Sequence, residues 1–163
     1  MEKESLKASP PREGMEGRPE AAIDGRIIIA VGAVIRDERG RTLLVRHRPG
    51  RKGFWQGKWI CPGGELKFGE MIQEGIIREV REETHLEVKL TQSLPPFQRI
   101  ARSEGEPFLH VIYIDYLAEI KEGKPKPDGD VGEALWFTQE EISERWEDLH
   151  DDTKRLLSMA RVI

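Results

Sequence analysis

Apolar residues along this chain change their spacing several times, and each change marks an element. From Arg26 to Ile35 the run is β-branched and almost continuously apolar, the pattern of a strand covered on both faces. Asp37-Glu38-Arg39-Gly40 is a turn and Thr42 to Val45 resumes strand character, which predicts a hairpin. A Gly- and Arg-rich loop from Arg46 to Lys58 follows, and Trp59-Ile60-Cys61 reads as a short strand ended by Pro62-Gly63-Gly64. Glu70 to Thr84 then carries a helical period, with Ile72, Ile76, Ile77 and Val80 as its apolar set. Leu86 to Leu94, Phe108 to Leu117 and Val131 to Phe137 return to strand patterns. Two helices are expected at the end, around Gln139–Trp146 and Leu149–Ala160, the first with Thr138 as N-cap and a capping-box Glu. Helices interspersed with strands predict an α/β fold, a mixed sheet with helices on both faces.

Residues 1–24 have no apolar period and are rich in Glu, Lys, Pro and Gly. Such a segment cannot bury enough surface to offset the entropy of ordering, so a flexible tail is expected there and one domain over residues 25–163. A chain of 163 residues suits a single core.

Charge narrows the functional classes. The formal net charge is −4, with Lys and Arg interleaved among Asp and Glu, so no footprint for duplex nucleic acid appears. An anionic substrate must therefore be held locally. No apolar stretch approaches the roughly 20 residues that span a bilayer, and no membrane association is expected. A single cysteine, Cys61, excludes an intramolecular disulfide framework. With no signal peptide ahead of the first strand-like run, a cytoplasmic protein is the expectation. The absence of Asn beside abundant charged residues suggests a heat-tolerant protein.

The chemistry concentrates in one stretch. On the predicted helix Glu79, Glu82 and Glu83 stand at i, i+3 and i+4, within about 100° of arc, so three carboxylates share one face. Ile76, Ile77 and Val80 occupy the neighbouring arc and can anchor the helix on the sheet. An isolated string of this kind is most often a solvated helix face. Clustered carboxylates, however, raise one another's pKa and need a cation to stay ionised. Magnesium, a hard ion with a preference for carboxylate and water oxygens, is the natural partner, and it also reaches substrate phosphates. Arg78 sits beside the acidic set and can pin one carboxylate by charge-assisted hydrogen bonds.

Gly64, Glu70, Arg78, Glu79, Val80, Glu82, Glu83 and Leu86 together resemble the signature of the Nudix hydrolases. His85 stands where that family prefers a Gly that ends the helix in a left-handed conformation, one His tolerates at some cost. Gly57 to Gly64 is similar to the family's lead-in and Val131 to Phe137 to its late strand, so the likeness covers roughly residues 26–157. The resemblance implies a Nudix-type α/β/α sandwich around a mixed β-sheet. It implies water attack on a phosphorus of a nucleoside diphosphate linked to another moiety, with Mg2+ as cofactor and Mn2+ as a substitute. It also implies metal ligation by Glu79, Glu82 and Glu83, joined by the carbonyl of Gly63, with Arg78 and Glu70 in support. Glu82 is one candidate general base; Asp128, Asp130 and Glu133 in the late loop are others, although Pro-Asp-Gly-Asp is ordinary turn chemistry.

Substrate contacts are less sharply drawn. Arg46 and Arg48 are positioned like family residues that touch phosphate, and Phe54, Trp55 and Trp59 could stack on a base or form core and cleft wall. Glu133 completes the candidate binding set. ADP-ribose or a nucleotide sugar is the first substrate expectation and a nucleoside triphosphate the second. The proline found about sixteen residues past the signature in ADP-ribose-cleaving members has no match, Ala101 and Arg102 standing there. Diphosphate isomerisation is a remoter alternative, and a non-catalytic nucleotide-sensing or RNA-interacting module is the alternative from another class. A homodimer is compatible with the family, though no feature of the chain requires one. The charge-rich, Asn-free composition carries an expected outcome: a melting temperature above about 65 °C, beyond the usual mesophile range, measured by calorimetry.

Overall fold

A computed structural model describes residues 25–163; the expected tail over residues 1–24 lies outside the described residues. In chain order the elements are β1 (Ile27–Arg36), β2 (Thr42–His47), β3 (Gly63–Glu65), α1 (Ile72–Thr84), β4 (Glu87–Ser93), β5 (Phe97–Ser103) and β6 (Glu106–Glu122). β7 (Val131–Phe137), α2 (Gln139–Glu144), a short 3-10 turn (Trp146–Asp148) and α3 (Asp151–Met159) complete the chain. Among the described residues no helix is long and apolar enough to cross a membrane.

The continuous apolar run of β1 is explained by its place. It lies at the middle of a sheet ordered β4-β6-β1-β2-β7, with β3 also paired to β1 and β5 to β6. β1 runs parallel to β6, from Ile27 opposite His110 to Arg36 opposite Glu119, and the other pairings are antiparallel. Successive β1 side chains enter different cores. Val34, with Leu44 of β2, packs with Ile142, Leu156 and Leu157 from the C-terminal helices. Ala33 and Ile35, with Leu43, pack with Ile76 and Val80 of α1. The result is the α/β/α sandwich with a mixed sheet. Burying each such aliphatic side chain is worth roughly 1.5–3 kcal/mol, so α1 is fixed chiefly by packing.

The helices begin or end within two residues of the expected bounds, and three larger differences from the sequence expectation have a physical reason. Trp59-Ile60-Cys61 makes only isolated bridges, Ile60 to Val45 and Trp59 to Leu149, and the strand falls instead on Gly63–Glu65, paired with Gly32 to Ala30. Glycine is a poor strand former, but here its bareness permits the pairing. A Cβ on Gly63 would overlap the Val31 carbonyl, and one on Gly32 would stand 2.7 Å from the Pro62 carbonyl. Second, β5 had no sequence signal, because its inward positions include Arg99 while Ile100 is exposed. Arg99 is drawn inward by Asp152, at 2.8 Å. Third, β6 is longer than its apolar run, continuing to Glu122 by pairing with β4.

Helix ends follow local chemistry. Thr138 and Glu141 form the reciprocal capping box at the start of α2, and His85 closes α1 in the left-handed region at φ 61°. Its ring lies 2.6 Å from Asp128, tying the end of α1 to the β6–β7 loop. A Gly63→Ala substitution is expected to destabilise the chain by roughly 2 kcal/mol, the scale of overpacking a tight backbone contact, read as a lower urea midpoint at unchanged slope.

Candidate active site

α1 and the loop before it are locked together by one side chain. Arg78 donates to Glu70 Oε2 at 2.6 Å and Oε1 at 2.9 Å. It also donates to Glu79 at 2.8 Å, to Glu82 at 3.1 Å and to the Glu65 carbonyl at 3.2 Å. The guanidinium beside Glu70 holds that carboxyl down at about 2. Glu70 also accepts from the Lys67 backbone N–H, so the loop is fixed at both ends of this carboxylate.

The helix turns its other carboxylates inward. Glu79 lies against the backbone of β3, where a Cβ on Gly64 would overlap its carboxylate. Burial raises its pKa despite Arg78. Glu83 is 6% exposed, and its Oε2 has no hydrogen-bond partner. Burial first, and Glu79 second, push its pKa well above the usual carboxylate range, opposed in part by a backbone hydrogen bond from Gly63. Among the described residues no three metal-binding side chains are already gathered at metal-holding distance, and Arg78 is bonded to both Glu79 and Glu82. The donor set nevertheless fits a hard divalent ion: three carboxylates on one helix, one of them buried with an unpartnered oxygen.

Glu79 and Glu83 open onto a cavity of about 330 Å³, within the range of small-molecule sites. Glu79, Glu83, Gly63 and Gly64 line one end, together with Arg51 and Asp130. Arg51 and Asp130 are paired at 2.8 Å. The β6–β7 loop brings Asp130 there, docking on α1 through Asp128 N–H to the Glu83 carbonyl at 3.0 Å. The other end is apolar and aromatic, with Ile28, Trp55, Phe97, Tyr113 and Leu156. Its polar atoms form a closed relay: Trp55 Nε1 donates to Tyr113 OH at 3.0 Å and Tyr113 OH to Asp152 at 2.5 Å, while Arg99 donates to Asp152 at 2.8 Å. His47 also lines the cavity, its pKa lowered to about 4 by burial and by Arg51.

A family model described as the NUDIX domain matches residues 26–157. The chain belongs to the Nudix family. It is 29% identical over 109 residues to an ADP-ribose pyrophosphatase from Methanocaldococcus jannaschii, covering 67% of this chain and 60% of that relative. It is 25% identical over 122 residues to a MutT-like protein from Streptomyces ambofaciens, covering 75% of this chain and 71% of the relative. Among solved structures, the MutT protein from Methanosarcina mazei superposes with a TM-score of 0.66 at 29% identity, over 83% of this chain and 92% of that one.

The fold of this Nudix chain brings Glu79, Glu83 and Gly63 to the cavity wall, whereas Glu82 and Arg78, on the same helix, are hydrogen-bonded to each other and do not line it. It does not bring the four expected substrate-binding residues there. Arg46 sits across the β2–β7 ladder from Glu133 and pairs with it, its guanidinium 4.8 Å above the Trp59 ring. Arg48 is engaged by the Gly129 carbonyl at 2.8 Å, and Trp59 is 1% exposed in the core. Cross-strand pairing holds Arg46 and Glu133, a loop carbonyl holds the exposed Arg48, and core packing holds Trp59. Arg51, Tyr113, Asp115 and Asp152, all lining the cavity, were not singled out by the sequence. Asp115 left one signal, an acid within the apolar run of β6.

Glu83 is a source of instability unless its charge is answered. Its folded pKa lies above its unfolded value, so its contribution to stability is full below about pH 4.5 and is lost as pH rises through the folded pKa. In metal-free protein, Glu83→Gln is therefore expected to melt higher than wild type at pH 8. The gap should shrink toward pH 4.5; a variant that melts lower at pH 8 contradicts this account.

Proposed function

We propose that this Nudix chain is a pyrophosphohydrolase acting on a nucleoside diphosphate linked to another moiety. The observation that carries the reading is the buried Glu83 carboxylate, with its unpartnered oxygen beside Glu79 on the cavity wall. Such an arrangement is costly on its own and is relieved by a divalent cation. Glu79, Glu82 and Glu83, with the Gly63 carbonyl, would hold magnesium, for which manganese can substitute. A divalent ion held there would neutralise phosphate charge and make water a stronger nucleophile.

The chain's own residues supply the rest. Arg78, anchored by the ionised Glu70, orients Glu79 and Glu82 so that their carboxylates need not reorganise during reaction. Glu82 is the most exposed of the three, with its side chain 51% accessible, and its bond to Arg78 is the longest that Arg78 makes to a carboxylate. It is the proton acceptor for the attacking water. Oxygen from that water is added to one phosphorus as the bridging P–O bond breaks, releasing a nucleoside monophosphate and a phosphorylated remainder. Arg51 at the acidic end supplies positive charge for the diphosphate, and the aromatic end receives a planar group.

ADP-ribose or a nucleotide sugar is the first substrate class, in keeping with the archaeal relative's name, and a nucleoside triphosphate the second, in keeping with the MutT-like relatives. Incubation with magnesium and a panel of ADP-ribose, nucleotide sugars, dinucleoside polyphosphates and nucleoside triphosphates tests this through released monophosphate and phosphate. Wild type is expected to turn over at least one class, and Glu82→Gln to lose at least about 100-fold in kcat, the lower bound for a general base. If no member is turned over, the weight passes to the nucleotide-sensing or RNA-interacting alternative.

A further inference from the structure

Buried polar atoms without partners are uncommon, and each calls for a cause. Two of them line the cavity: Glu83 Oε2 and Asp115 Oδ2. Glu83 belongs to the acidic end. Asp115 does not. It lies on β6, opposite Gly32 of β1 and off the helix that carries the cluster, and burial disfavours its ionisation.

Asp115 is 6% exposed, in the middle of β6. β6 pairs it with Gly32 of β1, and a Cβ on Gly32 would come within 2.8 Å of its Oδ1. The bare backbone opposite gives the carboxyl its room. Around it the cavity is lined by the Cys61 thiol, Pro62 and the aromatic end. The polar groups of that end, Trp55 Nε1, Tyr113 OH and Asp152, already satisfy one another. Asp115 is thus a ligand-ready polar atom in a wall of flat apolar surfaces.

An ionised carboxyl only accepts hydrogen bonds, so the partner of the charged Asp115 must be a donor. A donor that also suits an aromatic slot is an amine on a planar heterocycle. We propose that Asp115 selects the nucleobase, accepting a hydrogen bond from the exocyclic amine of an adenine or cytosine seated against Trp55 and Phe97. This rests on the reading of the cavity as a nucleotide-diphosphate site. It makes Asp115 a specificity residue, and it ranks adenosine and cytidine derivatives above inosine and uridine ones, whose carbonyl would meet the same oxygen.

The test compares base pairs that differ in that one group. Binding of ADP against IDP and of CDP against UDP in magnesium is measured by titration calorimetry for wild type, Asp115→Asn and Asp115→Ser. The ratio of kcat/KM is measured for ATP against ITP and CTP against UTP where turnover exists. Wild type is expected to favour the amine partner at least tenfold, since a polar site left unpaired rejects the analogue strongly. In D115N the amide N–H₂ can pair with the carbonyl base, so the preference should collapse or reverse; D115S should bind both members alike. The Tm of metal-free D115N should equal or exceed that of wild type, because an unpartnered buried carboxyl is removed.

Equal binding of amine and carbonyl partners by wild type, or an unchanged preference in D115N, overturns the proposal. So does a uniform loss of kcat across all bases with binding intact, which would make Asp115 catalytic. Variants that melt well below wild type or fail to fold overturn it too, since they would give the carboxyl a structural role. Binding is read without turnover, so a chain that hydrolyses nothing but keeps the amine preference loses the hydrolase reading alone. One that hydrolyses amine and carbonyl nucleotides alike loses only this inference.

Discussion

Arg78 sets the charge balance on which the site is built. Of the five acidic side chains within the fourteen residues from Glu70 to Glu83, four bear on the site, Glu70, Glu79, Glu82 and Glu83, and three of these are hydrogen-bonded to this one guanidinium. The planar, five-donor geometry of arginine permits this, whereas a lysine ammonium would answer one or two partners as a point charge. Because Arg78 also reaches the Glu65 carbonyl, the same contacts fix the loop from β3 to α1. The backbone of Gly63 and Gly64 thereby stays close against α1. Glu83 alone of the four receives no hydrogen bond from Arg78.

The scaffold explains why the charge can be concentrated there. Ile76 and Val80 are fully buried against the sheet, so hydrophobic packing holds α1 in place while its adjoining face carries the carboxylates. The parallel pairing of β1 with β6 then places Gly32 beside Asp115, and β3 crosses the same region on bare glycine backbone. One close approach of three backbones thus forms the floor shared by the acidic and aromatic ends of the cavity. Carboxyls buried in such a floor lower stability and gain a purpose only when a ligand meets them. By contrast, the Trp55–Tyr113–Asp152–Arg99 relay is internally satisfied and stiffens the far wall.

Much of this was legible along the chain. Period changes located β1, β2, α1, β4 and β7, because a strand or helix that buries apolar surface must repeat at 2 or 3.6 residues wherever it sits. The spacing of Glu79, Glu82 and Glu83, the Arg beside them and the left-handed cap at His85 were likewise local matters, decided by 3.6 residues per turn and by φ/ψ sterics. So was the Thr138–Glu141 capping box, which spans only four residues.

Tertiary structure decided which polar side chains line the cavity. Arg46 looked available in the sequence and is paired with Glu133, 87 residues away in the chain, by the register of β2 on β7. Trp59 is in the core because Phe137 packs against its ring, 5.0 Å away between centroids. β5 exists because β6 offers a free edge and Asp152 supplies a partner for Arg99, neither of which the local pattern of Phe97–Ser103 encodes. Asp115, Arg51 and Asp152 enter one cavity only after strands far apart in the chain are paired. Periodicity and caps are short-range physics, written in consecutive residues. Register, ion-pair partners and the emptiness opposite a glycine depend on residues the local window never contains.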